Sequence, residues 1–203
     1  MGIGLIENAE NLNSLGHRRP IFGQLAERTT LRSVVAHAFA AELGVSSIDE
    51  CATQIVTDKS KNCRVDISER ELEDVVSFVR FLAAPPHHEQ PTAGLRLFEK
   101  SQCIACHTAT FNTGRDAPPP LRSQIVTAYT DLRVHDIGSG LKIRTSPLWG
   151  LNSFGPPYMH DASADTIIDA ISRHLGEATE SRSLFFNLSS SDQRTLIAWL
   201  KGL

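Results

Sequence analysis

Cys103-Ile104-Ala105-Cys106-His107 sets two thiols one helical turn apart with an imidazole beside the second, the C-x-x-C-H spacing. That separation lets both sulfurs reach one edge of a porphyrin, where each adds across a vinyl group while the adjacent histidine swings under the iron. No other feature limits the fold as strongly, because the surrounding chain must enclose a flat apolar disc and keep water from it. His107 is then the proximal ligand, and covalently bound haem c with its iron is the expected cofactor. Two plainer readings are weaker. A structural zinc site needs more ligands than this pair, and Cys51 and Cys63 lie upstream at a spacing that makes no second knuckle. A thioredoxin-like dithiol needs a strand before the motif and a helix after it, and the flanks carry no strand pattern.

The chain has 203 residues, 41% hydrophobic and 21% charged, enough for a folded protein with a real core. A formal net charge of -3 gives no electrostatic case for nucleic acid or an anionic membrane, so neither is an expected partner. No apolar run approaches the roughly 20 residues of a membrane span. The first residues, Met1 to Ser14, lack the basic and apolar regions of a secretory signal. Haem c is attached on the oxidising side of the bacterial membrane, so the expectation is a periplasmic protein whose chain is truncated here.

Three stretches carry helical periodicity. Thr30 to Leu43 puts Leu31, Val34, Val35, Ala38, Phe39 and Leu43 on one face, with Gly44 as the stop. Ser68 and Glu71 form a capping box opening a helix over 67–82, where Leu72, Val75, Val76, Val79 and Leu82 recur. Ser190 to Leu203 closes the chain with Leu196, Ile197, Trp199 and Leu200 apolar. Gly94 to Phe98 predicts a short helix that delivers Cys103, with the C-terminal helix packed against it. No segment alternates cleanly as a strand. The Pro-rich polar run from Ala83 to Pro91 reads as a linker, dividing the chain into 1–84, a small N-terminal helical segment, and 85–203. The expected class is mainly α: a class I cytochrome c-like helical domain with long loops, preceded by that helical segment. Thr108 to Ser189 exceeds what a minimal cytochrome needs, and Asp116 to Pro120 within it reads as an extended loop. Cys51 and Cys63 are expected to form a disulfide, because the haem motif already argues for an oxidising compartment.

A six-coordinate iron needs a second axial donor, and the residues leave Met159, His135, His160 and His174 open. The blocks Tyr129 to Gly138, Arg144 to Leu151, Tyr158 to Ser163 and Ala170 to Ala178 follow the motif in that order. Together they resemble the bacterial di-haem oxidoreductases, also labelled thiol oxidoreductases or peroxidases and related to the di-haem cytochrome c peroxidases. Gly4 to Glu7, Phe22-Gly23 and Phe81 to Pro85 extend the likeness upstream, so that this chain resembles the middle and C-terminal part of such a protein. In the peroxidase relatives the histidine of a Pro-Tyr-x-His segment is followed fourteen residues later by a methionine ligand. The same count from His160 reaches His174. The resemblance therefore implies a bis-histidine pair, His107 and His174, with Met159 in reserve. Arg144 is read either as a partner for a haem propionate or as a solvent-exposed arginine, Trp149 either as packing on the porphyrin or as a plain core residue, and His160 with Asp161 as a candidate hydrogen-bonded pair beside the haem.

Two departures from the family pattern stand out. Only one C-x-x-C-H is present, and Gln24 follows Phe22-Gly23 where the family has tryptophan. The implied function is electron transfer by one haem, in a chain whose partner is a redox protein or the missing N-terminal haem domain; the peroxidase relatives suggest a homodimer. The alternative is a peroxidase-type enzyme that reduces peroxide at a second haem outside this chain, since no catalytic residue is found here. A remnant with a structural haem is a third reading. Cys51 and Cys63, better explained as a bridge, give no support to thiol chemistry.

Overall fold

The computed structural model describes residues 2–10, 17–57, 63–85 and 91–203, with backbone alone over 53–57. The middle of the expected linker, 86–90, lies outside them. The chain forms two compact units, and each is held together by its own contacts.

The first unit comprises 1–23, 27–84 and 113–124. Its helices are α1 (Ile3–Glu7), α2 (Leu31–Leu43), α3 (Ile48–Thr57) and α4 (Glu69–Arg80). The Thr30 hydroxyl accepts the Ser33 N–H at 3.2 Å to start α2, and Gly44 ends it in the left-handed region at φ 67. The capping box of α4 is complete: Ser68 Oγ accepts the Glu71 N–H and the Glu71 carboxylate accepts the Ser68 N–H. Leu31, Leu72 and Val76 are fully buried. Leu43 is not part of that core. It stands 67% exposed at the last residue of α2. One carboxylate joins three helices, since Glu7 accepts from Arg80 Nε at 2.7 Å and from the Leu31 N–H at 3.1 Å. Arg32 similarly ties α2 to Asp49 on α3 and to Glu69 and Glu73 on α4. The expected Cys51–Cys63 disulfide is formed.

The second unit comprises 24–26, 85–112 and 125–203. It contains α5 (Thr92–Lys100), β1 (Thr110–Asn112), β2 (Ile125–Thr127), β3 (Val134–Asp136), β4 (Lys142–Arg144), α6 (Leu151–Phe154), α7 (Ile167–Ser172), α8 (Thr179–Phe186) and α9 (Ser190–Leu200). Phe98 of α5, Tyr129, Phe185 and Leu196 and Trp199 of α9 form the centre of a buried cluster. Helices α5 and α9 cross so closely that a Cβ on Gly94 would lie 2.1 Å from Trp199 Cβ. The Trp199 ring packs 5.1 Å from Phe98 and 5.3 Å from Tyr129, the latter edge to face.

The expected mainly α class holds in part, and the chain is mixed. About 45% of it is helical, and β1 with β2 and β3 with β4 form two antiparallel pairs. Each strand is only three residues long. A period-two pattern cannot show itself over so few positions, which is why no strand signal is legible beforehand. No helix among the described residues is long and apolar enough to cross a membrane.

Candidate functional site

Helix α5 ends at Ser101, Gln102 turns the chain at φ 56, and Cys103–Ala105 forms a single 3-10 turn. The motif thus leaves the α5 and α9 crossing directly, with the His107 N–H donating to the Cys103 carbonyl at 3.0 Å. Both thiols are unpaired in the described structure. Burial pushes the Cys103 thiol up to about 11 and raises Cys106 as well, the latter with help from the negative charges of Asp131 and Glu177. Both are therefore protonated at neutral pH, the form that adds intact across a vinyl group and a poor one for thiol exchange.

His107 Nδ1 lies 3.0 Å from the carbonyl oxygen of Tyr129. A carbonyl only accepts, so Nδ1 carries the proton and Nε2 keeps its lone pair. Tyr129 presents that oxygen from the left-handed region, at φ 53. Burial pushes the His107 imidazole down to about 4, overriding the opposing pull of the Tyr129 hydrogen bond, and the nearby His174 lowers it further. The ring is neutral and able to ligate. His174, just past α7, has the same arrangement: its Nδ1 lies 2.7 Å from the Ala170 carbonyl, again leaving Nε2 as the acceptor. Sequence periodicity shows neither contact.

Both imidazoles line one cavity of about 510 Å³, together with Cys103, Cys106, Met159 and His160. That volume is in the range of sites that enclose an organic cofactor, about 300–1,000 Å³. Among the described residues no group of three or more His, Cys, Asp or Glu stands together as a metal cluster. Two imidazoles are the donor set that suits an iron whose equatorial positions a porphyrin fills, so the residues present fit a haem.

Arg144 lines the cavity, and its backbone N–H donates to the Gln24 carbonyl at 2.8 Å. Gln24 also lines the cavity; its side-chain amide donates to the His160 carbonyl at 2.9 Å. It thereby fastens the Met159-His160 corner, where Met159 is at φ 70. His160 Nδ1 is buried with no hydrogen-bond partner. The expected pairing of His160 with Asp161 is absent. The Asp161 carboxylate accepts the Ser163 N–H at 3.1 Å instead, closing a turn through Ala162. Trp149 is buried at 9% exposure but does not belong to the cavity wall.

His135, one of the open ligand candidates, has both ring nitrogens engaged. Nε2 meets the Asp131 carboxylate at 2.8 Å and Nδ1 meets Glu177 at 3.0 Å. Burial alone would lower its pKa, but the hydrogen bonds to Glu177 and Asp131 outweigh it and raise the value above the usual 6.5. A folded-state value above the unfolded one means that the stabilisation is complete below about pH 6.5 and is lost as pH rises through the folded value. The melting temperature is therefore expected to fall from about pH 6.5 upward, and His135→Gln should flatten that slope. Parallel slopes for the two proteins in thermal melts would remove this role.

Residues 38–203 match the model of the family described as "Di-haem oxidoreductase, putative peroxidase". Neither curated proteins nor solved structures give a match. With the match covering most of its length, including the motif and the whole cavity wall beyond Gln24, the chain belongs to the di-haem oxidoreductase family.

Proposed function

We propose that this chain carries one covalent haem c and serves as an electron-transfer domain, cytochrome c-like in its motif and in its α5 and α9 crossing. The observation that carries the reading is the matched pair of imidazoles. His107 and His174 each spend Nδ1 on a backbone carbonyl and line the cavity that also receives Cys103 and Cys106. A bound haem supplies a one-electron iron couple. In this reading Cys103 and Cys106 would hold the haem covalently, each thiol supplying S–H to a vinyl group so that a C–S bond forms with no oxidant consumed. His107 and His174 would hold the haem iron through Nε2, the nitrogen that each leaves uncommitted. Arg144 on the cavity wall would supply positive charge for a propionate, and His160 Nδ1 is a buried polar atom with no hydrogen-bond partner in the described structure.

The family description supports peroxide chemistry for a complete di-haem protein. Peroxide reduction needs an open iron position, which a bis-histidine site denies. The catalytic haem and the redox partner are accordingly placed outside this chain, in a preceding haem domain or another protein, with a homodimer as the proposed assembly. The Cys51–Cys63 disulfide supports an oxidising compartment, the periplasm.

The haem-loaded chain is expected to give a low-spin, six-coordinate spectrum that neither peroxide nor carbon monoxide alters. A high-spin species binding either would overturn the bis-histidine assignment. The attachment has its own check. The wild type should keep its haem through acid and organic extraction, whereas the double variant Cys103→Ser, Cys106→Ser should release essentially all of it. Equal extraction from both proteins would refute the thioether bonds.

A further inference from the structure

One imidazole stands at the junction of both ligand-bearing segments. Because carboxylates only accept, His135 donates from Nε2 to Asp131 and from Nδ1 to Glu177, and the ring is an imidazolium held between two negative charges. Asp131 leads to the first segment: its backbone N–H donates at 2.9 Å to the carbonyl of Cys106, the residue before His107, and Tyr129 beside it holds the His107 ring. Glu177 leads to the second, three residues after His174. Its other oxygen accepts the Asp136 N–H at 3.0 Å, and Leu175, next to His174, donates its N–H to Ile137 at 3.1 Å. Gly176 allows this approach, since a Cβ there would sit 2.5 Å from the Asp136 carbonyl oxygen. Lys142 on the paired strand is the remaining charge acting on Glu177. His135 itself faces the cavity.

We infer that His135 is a positioning residue, a clamp that fixes the spacing of the His107 and His174 segments so that both imidazoles can close on one haem iron. The inference rests on the bis-histidine reading. Asp131 and Glu177 are the arms of the clamp, and β3 is the rail to which both are bound. Loss of the central donor frees the His174 segment first, because Glu177 is the more exposed arm, at 51% against 13% for Asp131. A role confined to stability would lower the melting temperature and leave the iron's coordination unchanged.

The test uses the haem-loaded full chain as wild type, His174→Ala, His135→Phe, Glu177→Ala and Glu177→Gln, each read by visible spectrum, carbon monoxide binding and thermal melting. His135→Phe and Glu177→Ala are expected to raise the high-spin, carbon monoxide-binding fraction by about tenfold or more over wild type, the scale of one lost charge-assisted hydrogen bond. Glu177→Gln, which keeps an acceptor for Nδ1–H, should stay close to wild type. If wild type is already high-spin, the bis-histidine reading has failed and the clamp falls with it. If wild type is closed and His174→Ala opens it while His135→Phe and Glu177→Ala remain low-spin and inert, the clamp alone is overturned. Should His135→Phe not load haem, Glu177→Ala decides on the same criterion.

Discussion

His174→Ala is expected to turn the haem-loaded chain from a low-spin protein that ignores carbon monoxide into a high-spin one that binds it. The His174 ring is fixed by its own helix, with Nδ1 donating to Ala170 four residues back, so Nε2 cannot swing away without breaking a 2.7 Å hydrogen bond. Removing the ring forfeits that bond, worth about 1 kcal/mol, and opens an iron position, whereas the α5 and α9 core is untouched. The stability loss should therefore be small beside the spectral change. Met159 and His160 line the same cavity and are the wall residues, besides the motif, His135 and His174, whose side chains are methionine or histidine. A spectrum that stays low-spin in His174→Ala would move the sixth ligand to one of them, and the double variants with Met159→Leu and His160→Ala would say which.

What the sequence made legible is what local chemistry dictates. Ser68 and Glu71 announce a capping box because both of its hydrogen bonds close within one turn. The motif announces its own turn for the same reason. Apolar spacing located α2, α4, α5 and α9, yet it put Leu43 on the face of Leu31 and Val35, and Leu43 stands exposed while those two are buried, since periodicity records a face and not how deeply each turn is covered. Helix α3 escaped notice although Ile48, Cys51, Ala52, Ile55 and Val56 recur at helical spacing and Ser47 accepts the Glu50 N–H, because the stripe is only ten residues long and lies in a segment read for its cysteine. The strands escaped because each has three residues.

The site divides along the same line. Nothing in composition or spacing separated His174 from His135, Met159 or His160; the family blocks did. The structure adds a distinction that no local pattern contains: His135 has both nitrogens committed, to carboxylates 4 and 42 positions away, while His174 has one nitrogen in reserve. Adjacency also misled at Asp161. Its side chain accepts the Ser163 N–H across a turn in which Ala162 takes a positive φ, and it makes no hydrogen bond to the neighbouring imidazole. Gln24 could be marked from sequence as a departure, but its hold on the His160 carbonyl spans 136 positions and needed the fold to be seen.

The largest expected effect on stability lies at the helix crossing. A real Cβ at position 94 would have to sit 2.1 Å from Trp199 Cβ, against an ordinary carbon contact of about 3.5–4.0 Å. Gly94→Val must therefore push α5 and α9 apart, because a helix backbone cannot yield as a flexible side chain can. The converse change, Trp199→Ala, empties a site where the indole is 3% exposed and stacks on Phe98 and Tyr129. Aromatic-to-alanine changes in cores cost about 3–5 kcal/mol, a large part of the roughly 5–15 kcal/mol that holds a domain folded. At about 2–4 °C per kcal/mol for a chain of this size, Trp199→Ala should melt roughly 6–20 °C lower. Trp199→Phe keeps the ring face and should lose less than half of that. The damage should also reach the site, since α5 delivers Cys103 and the Tyr129 carbonyl that orients His107 belongs to a residue stacked on Trp199. Haem uptake should fall with the melting temperature across Gly94→Val, Trp199→Ala and Trp199→Phe. If Gly94→Val melts within about 2 °C of wild type and loads haem normally, the two helices do not cross as closely as Gly94 and Trp199 require.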